Sequence, residues 1–170
     1  MEAQLSLLHR VERSERLLYV RCVGHAHARR PWRRFWTVLT HAGGATATIA
    51  AVVIPLVLTG SDVARHALTT LVLSHVLVQM MKRTVNRQRP WLREVTASLV
   101  KEPDPFSFPS GHACAAMAVC FSYALAFPAL AVPLLALAAL VGASRVFLGV
   151  HYPGDVIVGQ AIAIAIALLI

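Results

Sequence analysis

Three short blocks hold the residues whose types and spacing could do chemistry: Lys82 to Pro90 (KRTVNRQRP), Pro109 to His112 (PSGH) and Ser144 to Asp155 (SRVFLGVHYPGD). Most of the chain between them is apolar, so these charges have few other reasons to be there. Lys82 and Arg89 stand seven residues apart, close to two helical turns, and project the same way if the helix before them continues. Two such cations can grip separate oxygens of one phosphoryl group, Arg89 through its planar fork and Lys82 as a point charge. The competing reading is snorkelling of long basic side chains at the end of an apolar span, and it is kept for Arg83, Arg87 and Arg93.

In the second block Ser110 is a natural helix N-cap, and Gly111 lets the backbone come close to a ligand. The first turn of the helix that follows would aim free N–H groups and the positive end of its dipole at an anion, with His112 beside it as a titratable group. In the third block Arg145 is the one charge between Ala113 and Val150, where an ionisable group is costly enough that either a carboxylate or a phosphate should meet it. Asp155 follows His151 by four residues across a Pro-Gly helix start. It can reach back to the imidazole, fix its tautomer and aim the other nitrogen outward, or it can simply cap the helix. His9, His25, His27, His41, His66 and His75 are read as surface or packing residues, and the pair His25 and His27 is too little for a metal site.

The elements that must position these blocks are membrane helices. The chain is 57% apolar with only 14% charged residues, and 170 residues suffice for one membrane domain. The net charge of +8 does not point to nucleic acid, because the basic residues crowd the ends of the apolar segments, as contact with anionic headgroups or a phosphorylated substrate would require. Cys22, Cys114 and Cys120 form an odd set without CxxC spacing, so neither a disulfide framework nor a zinc site is expected, and Cys114 and Cys120 read as small packing residues.

Residues 1–34 carry eight arginines against three glutamates, with Leu7, Leu8, Val11, Leu18 and Cys22 at roughly helical spacing. They read as a basic amphipathic helix lying on the membrane surface, not as a signal peptide, and residues 35–170 as the membrane domain. Spans are expected over Phe35 to Leu58, loosened by Gly43 and Gly44, and over Val63 to Met81. Residues 82–110 form a long polar loop. Ala113 to Val150 reads as a helical hairpin broken near Pro128 and Pro133, and Pro153 to Ile170 as a last span ending on the opposite face. At 1.5 Å per residue each hairpin arm of about 18 residues covers about 27 Å, one hydrocarbon thickness, which returns His151 to the face that holds His112. The fold class is therefore all-α, an integral membrane bundle of about five spans.

The three blocks resemble the signature of the type 2 phosphatidic acid phosphatase superfamily, KxxxxxxRP, PSGH and SRxxxxxHxxxD, which also includes the vanadium haloperoxidases and glucose 6-phosphatase. All three are complete here and in order. The resemblance implies a lipid phosphatase in which His151 becomes a phosphohistidine, Asp155 orients it, and His112 protonates the leaving oxygen and then activates water. Lys82, Arg89, Ser110, Gly111 and Arg145 would hold the phosphoryl oxygens. No cofactor or metal is implied; Glu94, Glu102 and Asp104 lie near that face without a ligand pattern. The rival readings are a non-catalytic lipid-phosphate binder or scaffold and a vanadate-dependent haloperoxidase. The partners expected are a lipid phosphate substrate and a bilayer with anionic headgroups, with no nucleic acid; the oligomeric state is left open.

Many membrane members of that family resemble a six-span bundle with the active site facing outward. Here two spans separate the arginine-rich N-terminus from the polar loop, so both lie on one face, and the opposite face has only Arg65. The positive-inside rule then puts the N-terminus and the active site on the cytosolic face of a bacterial plasma membrane.

Overall fold

The structure, a computed structural model, describes residues 13–24, 30–90, 99–100 and 104–170. Expectations for Leu7, Leu8, Val11, His9, His25, His27, Arg93, Glu94 and Glu102 lie outside the described residues. Helices dominate: α1 over 13–24, α2 Arg30–His41, α3 Ala45–Thr59, α4 Asp62–Val85, α5 Gly111–Ala126, α6 Ala131–Phe147 and α7 Pro153–Leu169. A 3-10 turn, Pro128–Leu130, joins α5 to α6, and among the described residues the only β pairing is an isolated bridge between Gln88 and Phe106.

The outer surface is apolar. Val57, Leu58, Val132 and Leu169 are each more than three-quarters exposed, and Ile157 and Leu168 nearly two-thirds. Water would penalise such a surface, whereas lipid tails accept it. By length and composition Pro128–Phe147 can cross a membrane alone, and α2 with α3 can do so as a bent pair; α5 and α7 are shorter apolar helices.

α5 is the central helix, packed against α3, α4, α6 and α7. Its sequence allows this, because Ala113, Cys114, Ala116, Ala118, Cys120 and Ala124 are small and buried and let neighbouring backbones come close. Cys114 and Cys120 thus serve as packing residues, free and buried in or beside the main core with Val52, Leu71, Val78 and Ala163. His66 is a packing residue too, its Nε2 3.1 Å from the Ala167 carbonyl.

Two expected spans change shape. The segment from Phe35 to Leu58 is not one helix: it breaks at residues 42–44, and its halves meet at 42°. The reason is the approach of α5, since a Cβ on Gly43 would lie 2.8 Å from the His112 carbonyl oxygen and 2.5 Å from Val141. The next span runs longer than Val63 to Met81, from Asp62 to Val85, and stops where Asn86 takes a left-handed φ of 51°, a conformation asparagine tolerates. The helix therefore does not continue to Arg89, and seven-residue helical spacing is not what aligns that residue with Lys82.

α1 turns Tyr19 and Val23 into the protein, where they pack with Ala113, Val146, Tyr152 and Val156 and with Cys22 at the edge. Leu18, expected on the apolar face with Cys22, is half exposed, as are Leu17 and Val20.

Candidate active site

The C-terminal end of α4, the N-termini of α5 and α7 and the C-terminal end of α6 meet at one end of the bundle. Direct bonds tie them together. The Ser110 N–H donates to the Asp155 carbonyl at 2.9 Å, the Val150 and His151 N–H groups donate to the Arg145 carbonyl, and the Ser107 N–H donates to the Arg87 carbonyl at 2.8 Å. A Cβ on Gly159 would stand 2.6 Å from the Ser110 carbonyl oxygen, so only glycine lets α7 pass this close.

Lys82, Arg89, Ser110, Arg145, His151 and Asp155 are all buried at this end, and Gly111 and His112 are partly exposed beside them. So many buried polar groups in one place are costly unless they satisfy one another or a ligand. Lys82 Nζ donates to Asp104 Oδ2 at 2.9 Å, and Arg89 reaches the same carboxylate through Nη2 at 3.1 Å and the Asp104 carbonyl through Nε at 2.7 Å. Asp104 is thus the clamp that brings the two cations side by side. Burial works to raise its pKa, but the Lys82 hydrogen bond and the charges of Lys82 and Arg89 outweigh that and hold it below the ordinary carboxylate value. The clamp is therefore intact at neutral pH and opens only in acid, as pH falls through that lowered value.

Arg89 Nη1 lies 3.2 Å from the Val150 carbonyl and 3.3 Å from His151 Nε2. A guanidinium has only donors, so Nε2 must present its lone pair and the ring proton belongs on Nδ1. Nδ1 faces Asp155 Oδ2 at 3.7 Å, an electrostatic pair longer than a hydrogen bond. That oxygen also accepts the Tyr152 N–H at 2.8 Å, so Asp155 caps α7 and faces the imidazole at once. This arrangement leaves a basic nitrogen directed at the place where Arg89 could hold an anion.

Ser110 stands at the N-cap of α5, yet its hydroxyl makes no capping bond and its buried Oγ finds no partner among the described residues. Nothing lies within 4 Å of where a Cβ on Gly111 would be, so the first turn of α5 opens onto free space. A phosphoryl oxygen seated there would meet the Ser110 hydroxyl and the turn's N–H groups. Arg145 Nη1 donates to the buried Thr40 hydroxyl of α2.

Sequence reasoning missed four residues. Arg87, read as snorkelling, is instead ion-paired at 2.7 Å to Asp155 Oδ1 and at 2.7 Å to Glu15 Oε2. Glu15 and Thr40 reach the site from α1 and α2, and Asp104 from the loop. Only Asp104 left a trace in the sequence, as an acid close before the Ser-Gly turn in a strongly basic stretch. Among the described residues no group of three His, Cys, Asp or Glu side chains gathers to hold a metal ion.

A profile of the PAP2 superfamily matches residues 63–170, which take in every residue of the three blocks. The chain belongs to the PAP2 superfamily. Decaprenylphosphoryl-5-phosphoribose phosphatase of Mycobacterium tuberculosis is 37% identical over 101 residues, 57% of this chain and 53% of that protein. Lipid A 1-phosphatase of Rhizobium etli is 36% identical over 108 residues, 59% of this chain and 46% of that protein. This PAP2 chain thus spans about half the length of the curated relatives it matches. A transmembrane PAP2-type phosphatidylglycerolphosphate phosphatase of Bacillus subtilis superposes with a TM-score of 0.77 at 26% identity, covering 94% of this chain and 84% of that one. This PAP2 chain is a membrane protein with the helical fold of that phosphatase.

Proposed function

We propose that this PAP2 protein is a metal-independent lipid phosphatase that hydrolyses a phosphomonoester, or a diphosphate, of a membrane lipid through a phosphohistidine. The observation that carries the reading is the His151 imidazole, whose Nε2 faces Arg89 while Nδ1 faces Asp155. Lys82, Arg89, Arg145, the Ser110 hydroxyl and the first turn of α5 hold the phosphoryl oxygens. His151 Nε2 bonds to phosphorus as the bond to the lipid oxygen breaks, and His112 gives that oxygen its proton. His112 then takes a proton from water, the oxygen of that water bonds to phosphorus, and the N–P bond breaks to free His151 and phosphate. Charge on the transferring group is neutralised by the N–H donors and by buried cations, which act more strongly there than in water.

The test is phosphate release from a panel of lipid phosphates in detergent. Because the relatives are named for action on lipid A and on decaprenylphosphoryl-5-phosphoribose, phosphates of those two lipids head the panel, followed by phosphatidic acid, phosphatidylglycerol phosphate and polyprenyl phosphates. Binding without release would make the protein a lipid-phosphate binder. EDTA should leave release unchanged, and vanadate should inhibit it by taking the five-coordinate shape of the transition state against the same donors. Activity lost in EDTA and restored by magnesium would mean that a metal takes part.

The bent pair α2–α3 and helices α4, α5, α6 and α7 are read as five crossings, with α1 at the interface. The site end then shares its face with the basic N-terminal segment, and charge bias puts both in the cytosol. Arg83→Cys, in a background lacking the three native cysteines, should resist an impermeant thiol reagent in intact cells, while Asp62→Cys at the far end of α4 should react. The reverse pattern would place the site outside.

A further inference from the structure

Arg87 joins two carboxylates that come from opposite ends of the sequence, Asp155 on α7, fully buried, and Glu15 on α1, 13% exposed. Its guanidinium also lies 4.4 Å over the Tyr152 ring, and that ring packs at 5.4 Å on Tyr19 of α1. Glu15 is held from a second side, because its Oε1 accepts the Gly154 N–H in the first turn of α7 at 2.7 Å. A Cβ on Gly154 would come within 2.4 Å of that oxygen, so a larger residue there would push the Glu15 carboxylate aside. Tyr19 adds a third tie, its hydroxyl donating to the Gly149 carbonyl at 3.2 Å. All of α1 precedes the part of the chain that the family profile matches.

We propose that Glu15 and Arg87 form a positioning and charge-balancing pair that sets how strongly Asp155 acts on His151, which makes α1 a working part of the site. Arg87 takes Oδ1 of Asp155 and leaves Oδ2 to the Tyr152 N–H and to His151. Glu15 takes up part of the Arg87 charge and so limits how far Arg87 neutralises Asp155. Among the described residues, Arg89 from the loop after α4 with its partners Asp104 and Lys82, Arg145 at the end of α6 and His112 at the start of α5 also stand at this end; they are unchanged in the variants below and cancel in the comparison.

The signs follow from Coulomb's law. Removing the Glu15 charge gives Asp155 more of Arg87, weakens the pull on the imidazolium and lowers the His151 pKa. Removing the Arg87 charge, with the Tyr152 N–H still holding Asp155, raises it. Each shift should be roughly half a unit to one unit, smaller than the change for a charge in direct contact. The full chain, histidine-labelled in detergent micelles, is titrated by NMR as wild type, Glu15→Gln, Arg87→Gln and Arg87→Lys, with His151→Gln identifying the resonance. Opposite shifts for the two glutamine variants, and a near wild-type value for Arg87→Lys, support the pair. An unchanged value in Glu15→Gln, or shifts of the same sign, overturns it. If Arg87→Gln does not fold, a lowered pKa in Glu15→Gln beside an unmoved Arg87→Lys decides in favour, and any other result decides against.

The consequence for turnover rests on the phosphohistidine reading: the acid limb of phosphate release should move with the His151 pKa in each variant. A wild type that releases no phosphate but shows the opposite shifts would overturn the phosphatase reading and leave the charge pair standing.

Discussion

His151→Ala should lower phosphate release on the order of 10⁶-fold, the scale on which removing a nucleophile acts in a hydrolase whose catalytic groups work as a unit. It should also abolish any covalent phosphoenzyme. Binding of the lipid phosphate should survive, because Lys82, Arg89 and Arg145 remain and Asp104 still holds the first two side by side. The imidazole is buried, so the variant leaves a cavity, and its thermal unfolding should be measured beside its activity to separate lost chemistry from lost fold. Rapidly quenched wild-type enzyme should carry phosphate on His151. Covalent phosphate found on another residue would overturn the assignment of the nucleophile.

The second large effect is selective. His112→Ala should slow hydrolysis of an alkyl phosphate, whose alkoxide must be protonated as it leaves, by roughly 100- to 10,000-fold. A phenyl phosphate with an activated leaving group should be affected far less, because its phenolate departs without a proton. His112 suits this work by position: it stands partly exposed in the first turn of α5, against the break between α2 and α3, where a Cβ on Gly44 would be 3.9 Å from its Nε2. The measurement is the ratio of the two rates in variant and wild type. Equal losses for both substrates would count against an acid and assign His112 to binding.

Both predictions concern residues that local sequence pattern picks out, and the reason is physical. An ionisable group inside an apolar stretch stands out, as Arg145 does, and the grouping of Lys82, Arg89, His112, His151 and Asp155 into three ordered blocks set them apart from other cations at span ends before any fold was known. Apolar runs bounded by polar turns likewise mark helices one by one, since each residue's preference for lipid or water is its own. The return of α6 to the face where α5 begins also follows from length alone.

Pairings between distant segments were not legible in this way. Arg87 looks like any basic residue at a span end; only the docking of α1 puts Glu15 against it and makes it the partner of Asp155. Thr40 carries no mark of its role until the turn at Gly43 and Gly44 lays α2 beside α6. Lys82 and Arg89 do come together, but through the Asp104 carboxylate and an extended segment, since the helix that would have aligned them ends at Val85. The sequence by itself determined the class of the protein, most of its helices and the charges of the three blocks that share one end, because these depend on properties each residue carries alone. The tertiary structure decided which cation meets which carboxylate and that α1 belongs to the site, because a hydrogen bond depends on where two chain segments meet, and no local spacing records that.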